Sequence, residues 1–409
     1  MIAWCLFIFS SLLLAYTFVG YPALLFLRAR YRPRPVLRQE IEPEITFVIA
    51  AHNEERLIRR KLDNIFGSDY PEDKMEVIVV SDGSTDRTNE VLANYVDRRL
   101  RTIILPKRKG KAVALNCAVE QASGEIVVFT DTRQLLERSA VRSMMSNFAD
   151  PSVGCVSGAL ILGNINEIAG ISGEGLKWGL ENKIREWEGL TNSVVGALGA
   201  FHAARHHLLV PLPEGTLLDD CFEPLNIVRR GYRTVFDHRA RAWDDVVTTA
   251  PQEFRRKVRT LTGNYQLIRQ VPWLLSPSNP ILFEFVSHKL CRLILPLGFG
   301  GILIPTVFLP GRLLHLFGYA QIAAYSFGTI ALIVPNLGRL TPLADIARTV
   351  VIMNAAAIMA FVNFVRGNDH VWTRDHSTSQ TGNKEAVSTS LAAGTVSEGN
   401  NCETTRITV

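Results

Sequence analysis

A polar cluster at Asp82 has the residue types that bind a nucleoside. Asp82 follows an apolar run, and its carboxylate can accept hydrogen bonds from a base N–H or from ribose hydroxyls. Gly83 and residues 84–86 (Ser-Thr-Asp) favour a tight turn and a cap for the next helix. The cluster is interpreted either as part of a nucleotide site or as a turn and helix cap alone.

A basic loop and a separate aspartate have the charges that bind a diphosphate. The loop contains Arg108, Lys109 and Lys111. Gly110 lets its backbone approach a phosphate, and the N-terminus of the following helix adds a positive end. Asp131 ends another apolar run, and its carboxylate can bind a hard divalent cation that bridges two phosphates. The alternatives are a solvated basic loop and, for Asp131, a helix cap.

The second half of the sequence contains a carboxylate pair and a basic segment. Asp219 and Asp220 are adjacent, so their repulsion can raise the pKa of one of them and make it a general base. The small residues 196–200 (GALGA) let backbone and ligand approach closely. Arg256 and Arg259, at i and i+3 of a predicted helix, can hold a pyrophosphate leaving group. The alternatives for the charged features are a surface acidic pair and a membrane-proximal basic helix.

Alternating strand and helix patterns predict an α/β fold with a mostly parallel sheet. The predicted strands are residues 45–51, 77–80, 102–105 and 125–130. The predicted helices are residues 57–66, a segment ending near 96, and 111–121. Ligands of such sheets bind at the carboxyl ends of the strands. Because residues 52–55, 82–86 and 131–133 follow three of the strands, we expect them to share one site.

Long uncharged runs predict a membrane protein. The chain is 47% apolar and 20% charged, and residues 2–27 form an uncharged run of membrane-spanning length. This run lacks a preceding basic residue and exceeds the length of a signal-peptide core, which favours an uncleaved anchor. The arginines that follow place this side in the cytoplasm by the positive-inside rule: Arg28, Arg30, Arg32, Arg34 and Arg38. Three later runs predict spans or, alternatively, buried core helices: residues 293–309, 316–334 and 349–365.

The charge and the cysteines place further bounds on function. The net charge of +5 needs no nucleic-acid partner, because much of it lies in the juxtamembrane arginines, which suit an anionic inner leaflet. The cysteines lack paired spacing, so neither a metal knuckle nor a disulfide framework is predicted, in agreement with a reducing compartment. They are Cys5, Cys117, Cys155, Cys221, Cys291 and Cys402.

These patterns predict six segments along the chain. They are an anchor at 1–27, a basic linker at 28–44, a cytoplasmic catalytic domain at 45–275, an amphipathic interface segment at 276–292, a transmembrane region of up to three helices at 293–365, and a polar, disordered tail at 366–409.

The order of the motifs resembles the family 2 inverting glycosyltransferases. The motifs AHNEE, SDGSTD, RKGKAVALN, FTDTR, GALGAF, LDD and RRKVRT follow one another as they do in that family. More narrowly, the chain is similar to the membrane-bound bacterial branch related to the cellulose, chitin, hyaluronan and poly-N-acetylglucosamine synthases. The resemblance spans residues 44–292, and the membrane layout extends it to about residue 374. It implies an A-type glycosyltransferase domain with a mostly parallel sheet, flanked by transmembrane helices.

The resemblance also implies roles for individual residues. Those implied to bind the donor are Ala51, Asn53, Glu54, Asp82, Lys111, Asp131, Arg256 and Arg259. The first four would line a uridine pocket, and Lys111 would face the base or the diphosphate. Asp131 would be the first carboxylate of the DxD motif, which binds a divalent cation, Mg²⁺ or Mn²⁺. Asp220 matches the Asp of the TED motif, the general base on the acceptor hydroxyl, and Asp219 would orient the acceptor or tune Asp220.

Two motifs depart from the family pattern. Arg133 replaces the second DxD carboxylate, so either Asp131, the donor phosphates and water hold the cation, or Arg133 supplies part of its charge. The QxxRW motif reads RKVRT at residues 256–260, without the Gln and without the Trp that lies near the acceptor site in the polymerising enzymes. There is also one amino-terminal apolar run, where some full polymer synthases have several. The altered QxxRW motif and the single amino-terminal run favour single transfer over processive synthesis.

The expected activity is transfer of a sugar from a nucleotide-diphosphate donor, a UDP-sugar, by a multi-pass protein of the inner (plasma) membrane. The expected acceptor is a lipid-linked sugar or a polysaccharide in exopolysaccharide or cell-envelope glycan synthesis. Membrane lipids, polysaccharide-export proteins and a second copy of the chain are the other expected partners, and no nucleic acid is expected. The alternatives are a processive polysaccharide synthase, a non-catalytic scaffold of a polysaccharide assembly complex, and a nucleotidyltransferase with a similar sheet.

Overall fold

A computed structural model describes residues 2–163, 173–244, 250–334 and 337–367, and its described strands form one eight-stranded sheet. The strands are β1 (Ile45–Ala51), β2 (Met75–Asp82), β3 (Leu100–Leu105), β4 (Ile126–Thr130), β5 (Leu135–Leu136), β6 (Val153–Leu162), β7 (Phe201–Arg205) and β8 (Arg233–Asp244). Their order in the sheet is β3-β2-β1-β4-β7-β6-β8-β5. The pairs β2–β3, β1–β2, β1–β4 and β6–β8 are parallel, and the pairs that involve β7 or β5 are antiparallel.

Helices cover the sheet and continue beyond it. The described α-helices are α1 (Ile2–Ala15), α2 (Tyr21–Tyr31), α3 (Ile58–Phe66), α4 (Thr88–Ala93), α5 (Lys111–Glu120), α6 (Ala140–Met145), α7 (Gly173–Thr191), α8 (Asp219–Arg229), α9 (Ala250–Gln270), α10 (Leu282–Phe285), α11 (Cys291–Leu293), α12 (Leu295–Phe308), α13 (Arg312–Ile333) and α14 (Thr341–Val365). Two π-helical segments, Tyr16–Gly20 and Val286–Leu290, join α1 to α2 and α10 to α11. Short 3₁₀ segments occur at Glu72–Lys74, Ser146–Ala149, His206–Leu208, Pro272–Leu275 and Gly338–Leu340.

The sheet is buried on both faces, which explains the continuous apolar runs of its first strands. In β1, Phe47 belongs to the core that includes α3 and α6, whereas Val48 belongs to the core that includes α5 and α8. The predicted α/β class with a mostly parallel sheet is therefore confirmed. The helix that was expected to end near residue 96 ends earlier, at Ala93, where the side-chain amide of Asn94 donates to the Glu90 carbonyl.

Three described helices are long and apolar enough to cross a membrane: Ile2–Tyr31, Arg312–Ile333 and Gly338–Val365. A fourth candidate is the pair Leu282–Leu293 and Leu295–Phe308, which is bent by 55° and is either one broken span or a re-entrant loop. The first span continues past residue 27, the predicted end of the anchor. Arg28 and Arg30 lie in its last turn, where a cation is favourable beside the carbonyl end of the helix. The predicted linker therefore begins as helix.

Glycines let the apolar helices pack closely. A Cβ atom at Gly301 of α12 would lie 2.1 Å from Ser10 Oγ of α1, and one at Gly328 of α13 would lie 2.6 Å from the Ala347 carbonyl oxygen of α14. Small residues at such crossings are typical of membrane helix pairs. The anchor and the C-terminal helices therefore form one packed unit. The predicted tail lies outside the described residues from position 368 onward.

Candidate active site

The carboxyl ends of β1, β2 and β4 bring the predicted nucleotide residues to one edge of the sheet. Residues 52–54 follow β1, Asp82 ends β2, and Asp131 follows β4. Since β1 pairs in parallel with both other strands, the three ends lie side by side. Ala51 is fully buried in the core, and its place in the uridine pocket stays a prediction.

Hydrogen bonds connect the loop after β1 with the loop after β2. His52 Nδ1 lies 2.7 Å from the Asp82 carbonyl oxygen, and the Asn53 backbone N–H donates to Ser84 Oγ at 3.2 Å. The Thr85 N–H donates to Asn53 Oδ1 at 2.8 Å. Asn53 has a φ of 56°, a left-handed conformation that asparagine tolerates better than most residues. The side-chain oxygen of Asn53 therefore helps to hold the two loops together, and the contact of Asn53 with uridine stays a prediction.

Asp86 supports both the turn and the next helix. Its Oδ1 accepts hydrogen bonds from the Thr88 N–H and hydroxyl, and its Oδ2 accepts one from the Glu55 N–H at 3.2 Å. Burial raises the pKa of Asp86, but these hydrogen bonds lower it by more, so the pKa lies below its usual value. The interpretation of residues 84–86 as a turn and cap is thus supported, while Asp82 has a different function.

Asp82 positions the basic loop. Its Oδ1 accepts a hydrogen bond from the Lys109 N–H at 2.6 Å, and its Oδ2 accepts one from the Gly110 N–H at 2.8 Å. Gly83 has a φ of 60°, and a Cβ atom there would lie 2.3 Å from the Arg108 nitrogen. The Asp82 carboxylate therefore holds the loop that was predicted to receive a diphosphate, and its predicted contact with the nucleoside would have to use the remaining lone pairs.

The close approach of the basic loop to Gly83 predicts that even an alanine at this position destabilises the fold. We expect Gly83→Ala to destabilise the fold by about 2–4 kcal/mol, because it adds backbone strain and displaces the basic loop. Gly215→Ala is the matched control, since Gly215 also has a positive φ (73°) but a Cβ atom there would have no neighbour within 4 Å. Thermal unfolding in detergent should show a smaller loss for the control, of about 1 kcal/mol. Equal losses would mean that the contact with the loop contributes nothing.

Lys111 connects the donor side of the site with the carboxylate pair. Its Nζ lies 3.1 Å from Asp131 Oδ1 and 3.0 Å from Asp219 Oδ2. Burial lowers the pKa of Lys111, but Asp131 and Asp219 raise it by more, so the lysine is cationic at neutral pH. Lys111 is also the first residue of α5, where the helix end favours an anion. A cation in this position can neutralise charge on a diphosphate.

The pKa values of the adjacent carboxylates Asp219 and Asp220 are shifted in opposite directions. Burial raises the pKa of Asp219, but Lys111 lowers it by more, so the pKa lies below its usual value. Burial and the neighbouring Asp219 raise the pKa of Asp220, and Lys111 and Lys289 offset this only in part. One carboxylate with a raised pKa beside an ionised one is typical of an acid–base site.

The small-residue stretch 196–200 packs against Asp220 and the next residue. A Cβ atom at Gly199 would lie 3.0 Å from Asp220 Oδ2, and one at Gly196 would lie 2.5 Å from Cys221 Sγ. The Ala197 N–H also donates to the Asp220 carbonyl oxygen at 2.7 Å. Gly199 thus makes room for the general-base candidate Asp220 and Gly196 for Cys221, whereas the sequence had indicated space for a ligand.

Asp131 can hold a divalent cation without a second DxD carboxylate. Its side chain is 42% exposed, and Glu54 is close to it and hydrogen-bonds with the side chain of Thr132. Burial raises the pKa of Glu54, and the Thr132 hydrogen bond offsets part of this effect. Across the described ranges no group of three or more His, Cys, Asp or Glu forms a metal cluster. A cation held by Asp131 together with donor phosphates and water therefore stays a prediction.

The guanidinium group of Arg133 pairs with a buried carboxylate. Its Nη2 lies 2.8 Å from Oδ2 of the buried Asp244, which also accepts a hydrogen bond from Gln134 Nε2 at 2.9 Å. Asp244 thus offsets part of the charge of Arg133, and the alternative in which Arg133 replaces charge of the cation stays a prediction.

Arg256 and Arg259 lie on α9, as predicted, with the spacing that puts them on one face. Arg256 Nη2 is 3.7 Å from Glu253 Oε1 on the same helix. The role of the two arginines at a leaving diphosphate stays a prediction.

The sequence did not point to two buried groups behind the site. Lys61 of α3 is fully buried, and its Nζ donates to Thr130 Oγ1 and to the Gln134 carbonyl oxygen, both at 2.7 Å. Burial lowers the pKa of Lys61 to about 7. His202 of β7 stacks on Phe129, and its Nε2 lies 3.3 Å from Glu223 Oε2. Lys61 could have been noticed as a lysine on the apolar face of a predicted helix, whereas no sequence pattern pointed to His202.

Comparison with known proteins agrees with this geometry. Residues 46–207 match the sequence model of Glycosyl transferase family 2. Poly-beta-1,6-N-acetyl-D-glucosamine synthase of Staphylococcus aureus (strain COL) is 28% identical over 236 residues, which are 55% of this chain and 55% of the relative. The synthase of Staphylococcus epidermidis (strain ATCC 35984) is 25% identical over 244 residues, 58% of each chain. A mannosyltransferase of Pyrobaculum calidifontis, PcManGT, solved with GDP-Man and Mn²⁺, has a TM-score of 0.68 and 25% identity and covers 88% of this chain and 99% of its own.

The sheet and its carboxylate–lysine edge define an A-type nucleotide-sugar transferase fold. Within this fold, residues 46–207 are similar to the glycosyltransferases of family 2. It matches about half the length of the curated synthases to which it is similar.

Proposed function

We propose that this protein transfers a sugar from a nucleotide-diphosphate donor to a lipid-linked or glycan acceptor in the synthesis of a cell-envelope glycan or exopolysaccharide. The observation that supports this most directly is the contact of Lys111 with both Asp131 and Asp219, next to Asp220. It connects a donor-binding carboxylate with an acid–base pair. The similarity to poly-N-acetylglucosamine synthases supports the glycan product, and the solved complex with GDP-Man supports a nucleotide-sugar donor.

The reaction is a single in-line displacement with inversion at the anomeric carbon. The Asp220 carboxylate takes the proton of the acceptor hydroxyl, and the acceptor oxygen forms the new bond to the anomeric carbon. The bond between that carbon and the diphosphate breaks, and its electron pair goes to the phosphate oxygen. The raised pKa of Asp220 makes it a stronger base than an ordinary aspartate.

Lys111 stabilises the negative charge that develops on the leaving diphosphate. Asp219 keeps Lys111 in place and, as an ionised neighbour, increases the basicity of Asp220. Arg256 and Arg259 of α9 add positive charge on the leaving-group side. Asp131 would hold a bound Mg²⁺ or Mn²⁺, which would supply further positive charge beside the diphosphate.

The catalytic domain lies in the cytoplasm, where nucleotide sugars are available, because the arginines at residues 28–38 follow the first span. If the bent pair Leu282–Leu293 and Leu295–Phe308 crosses the membrane, residues beyond 367 lie outside. If it is re-entrant, they lie in the cytoplasm. The six segments predicted above remain our proposal for the domain organisation.

The test is radiolabelled transfer in washed membranes that contain the full chain. UDP-glucose, UDP-N-acetylglucosamine, UDP-galactose and GDP-mannose are supplied with Mn²⁺ or Mg²⁺ or with EDTA, and membranes with Asp220→Asn serve as the control. Lipid extraction and sizing of the product follow. We expect label in a discrete, solvent-extractable lipid, formed only with a divalent cation and only by the wild type.

The other outcomes identify the alternatives. Label in a large, extraction-resistant fraction would show a processive synthase despite the altered residues 256–260. Release of inorganic pyrophosphate would indicate a nucleotidyltransferase. No label with any donor, and no difference from Asp220→Asn, would contradict the proposed activity and support a scaffold.

A further inference from the structure

A membrane-associated helix reaches the proposed catalytic base. We name the continuous helical stretch Leu282–Leu293 the linking helix, because it runs from the catalytic domain to α12. Its Lys289 Nζ lies 3.7 Å from Sγ of Cys221, the residue after Asp220. Lys289 is only partly exposed and belongs to the π-helical segment, a local irregularity that often occurs at functional sites. This places a cation from outside the A-type domain beside the first turn of α8, which also carries Asp219 and Asp220.

Contacts of the neighbouring residues fix the orientation of the linking helix. His288 Nδ1 lies 2.6 Å from Glu188 Oε1, and His288 Nε2 lies 3.0 Å from Glu181 Oε1, so its ring joins two carboxylates of α7. Arg292 Nη1 contacts Glu181 Oε2 at 3.0 Å. Because His288 faces α7, the next residue, Lys289, is directed to another side of the helix, toward α8. A lysine held in this way loses little conformational freedom when it acts on a nearby charge.

We infer that Lys289 is a positioning residue of the active site, whose ammonium group supports the Asp220 carboxylate, so that the linking helix completes the catalytic base. This inference rests on the proposed function for its catalytic consequence, but the contact itself does not. Removal of Lys289 should leave donor binding intact, because Lys111, Asp131 and the basic loop belong to other elements.

The charge around Asp220 comes from several elements. The groups that face it or the adjacent Cys221 are Lys111 of α5, Arg185 of α7, Asp219 of α8, His202 of β7 and Lys289 of the linking helix. Burial and Asp219 raise the pKa of Asp220, whereas Lys111, Lys289 and His202 lower it. Loss of Lys289 must therefore raise this pKa further. Since the base acts in its ionised form, the acid limb of the rate profile should move to higher pH.

The first experiment measures kcat/KM against pH for the full chain in membranes. We expect Lys289→Met to move the acid limb upward by about one pH unit, with a roughly tenfold loss below the limb and recovery toward the wild-type rate above it. Lys289→Arg keeps the charge and should restore the wild-type limb. Lys183→Met, at an exposed lysine of α7, is the control and should leave the profile unchanged. A lower rate at every pH, with no movement of the limb, would show that Lys289 has a structural role only.

The second experiment measures the contact without any turnover. Tm is determined in detergent for the wild type, Lys289→Met, Asp220→Asn and the double variant. We expect the two substitutions to be non-additive by about 2 °C at pH 8, and additive at a pH low enough to protonate Asp220. Additive effects at both pH values would overturn the inference. If the Tm values show this coupling but no donor supports transfer, the proposed function is wrong and the contact between Lys289 and Asp220 is still supported. If transfer occurs but neither the coupling nor the pH shift is observed, only the inference about Lys289 is wrong.

Discussion

Replacement of Asp220 by asparagine should reduce sugar transfer by about 10²–10⁴-fold, because the variant lacks the base that takes the acceptor proton. Donor affinity should change little, since Asp220 is proposed to act on the acceptor and no described contact joins it to Asp131. Initial rates and nucleotide binding, measured on the same membranes, separate the two effects. Asp73→Asn, at an exposed position just before β2 and so at the opposite end of that strand from Asp82, is the matched control and should keep wild-type turnover. Near-normal turnover of Asp220→Asn would remove Asp220 from the mechanism.

The same variant should be at least as stable as the wild type. The folded-state pKa of Asp220 lies above its usual value, so its contribution to stability is present at low pH and is lost as the pH rises through that pKa. Asparagine has a similar shape and no charge, and it removes the repulsion from Asp219. At pH 8 we therefore expect an equal or higher Tm, and the difference should decrease toward acid pH. A large fall in Tm would mean that the loss of activity reflects unfolding.

Replacement of Lys111 by methionine should affect both donor binding and turnover. The variant loses the cation that faces the diphosphate, which should reduce kcat/KM by at least about 10²-fold. It also leaves Asp131 and the buried Asp219 without their shared partner, and we expect a loss of stability of about 1–3 kcal/mol. Rates at varied donor concentration, donor affinity and thermal unfolding measure the three effects.

The stability loss of Lys111→Met has a defined pH dependence. Lys111 lowers the pKa of Asp219, so this contribution is present above the usual pKa of an aspartate and is lost as the pH falls through the folded-state value. The difference in Tm from the wild type should therefore be largest at neutral pH and smaller in acid. Lys107→Met, at an exposed lysine of the same loop, is the control. Wild-type kcat and donor affinity in Lys111→Met would place the diphosphate elsewhere.

The first half of the catalytic fold could be predicted from sequence because its signals are local. The apolar run of β1 and the polar residues that end β1, β2 and β4 lie within short stretches, and parallel pairing then brings their ends together. The identity of the site residues came from the order of the motifs. The small residues 196–200, by contrast, indicate that another group packs closely against them, but not which group it is. In the structure, Gly199 makes room for the Asp220 side chain.

The contacts of Lys61 and Lys289 could not be predicted because their partners are far away in sequence. Lys61 donates to Thr130 and Gln134, about seventy residues later, and Lys289 approaches Cys221, 68 residues earlier. A lysine on the apolar face of a predicted helix, such as Lys61, indicates burial, but the local pattern does not show which groups the lysine contacts. The sequence likewise showed Arg133 as a departure from DxD but not its partner Asp244, which lies on β8.

The contacts between the first span and the catalytic domain have a consequence for any shortened form of this protein. Tyr21 donates a hydrogen bond to Glu188 at 2.6 Å, and the same Glu188 oxygen contacts His288. Arg28 pairs with the buried Glu284 at 3.1 Å. A soluble fragment without residues 1–31 would leave these carboxylates with fewer partners and expose the surface that covers Leu25 and Tyr21. The first span is thus fastened to the catalytic domain through α7 and the linking helix, and a fragment that begins after residue 31 should be less stable than the full chain.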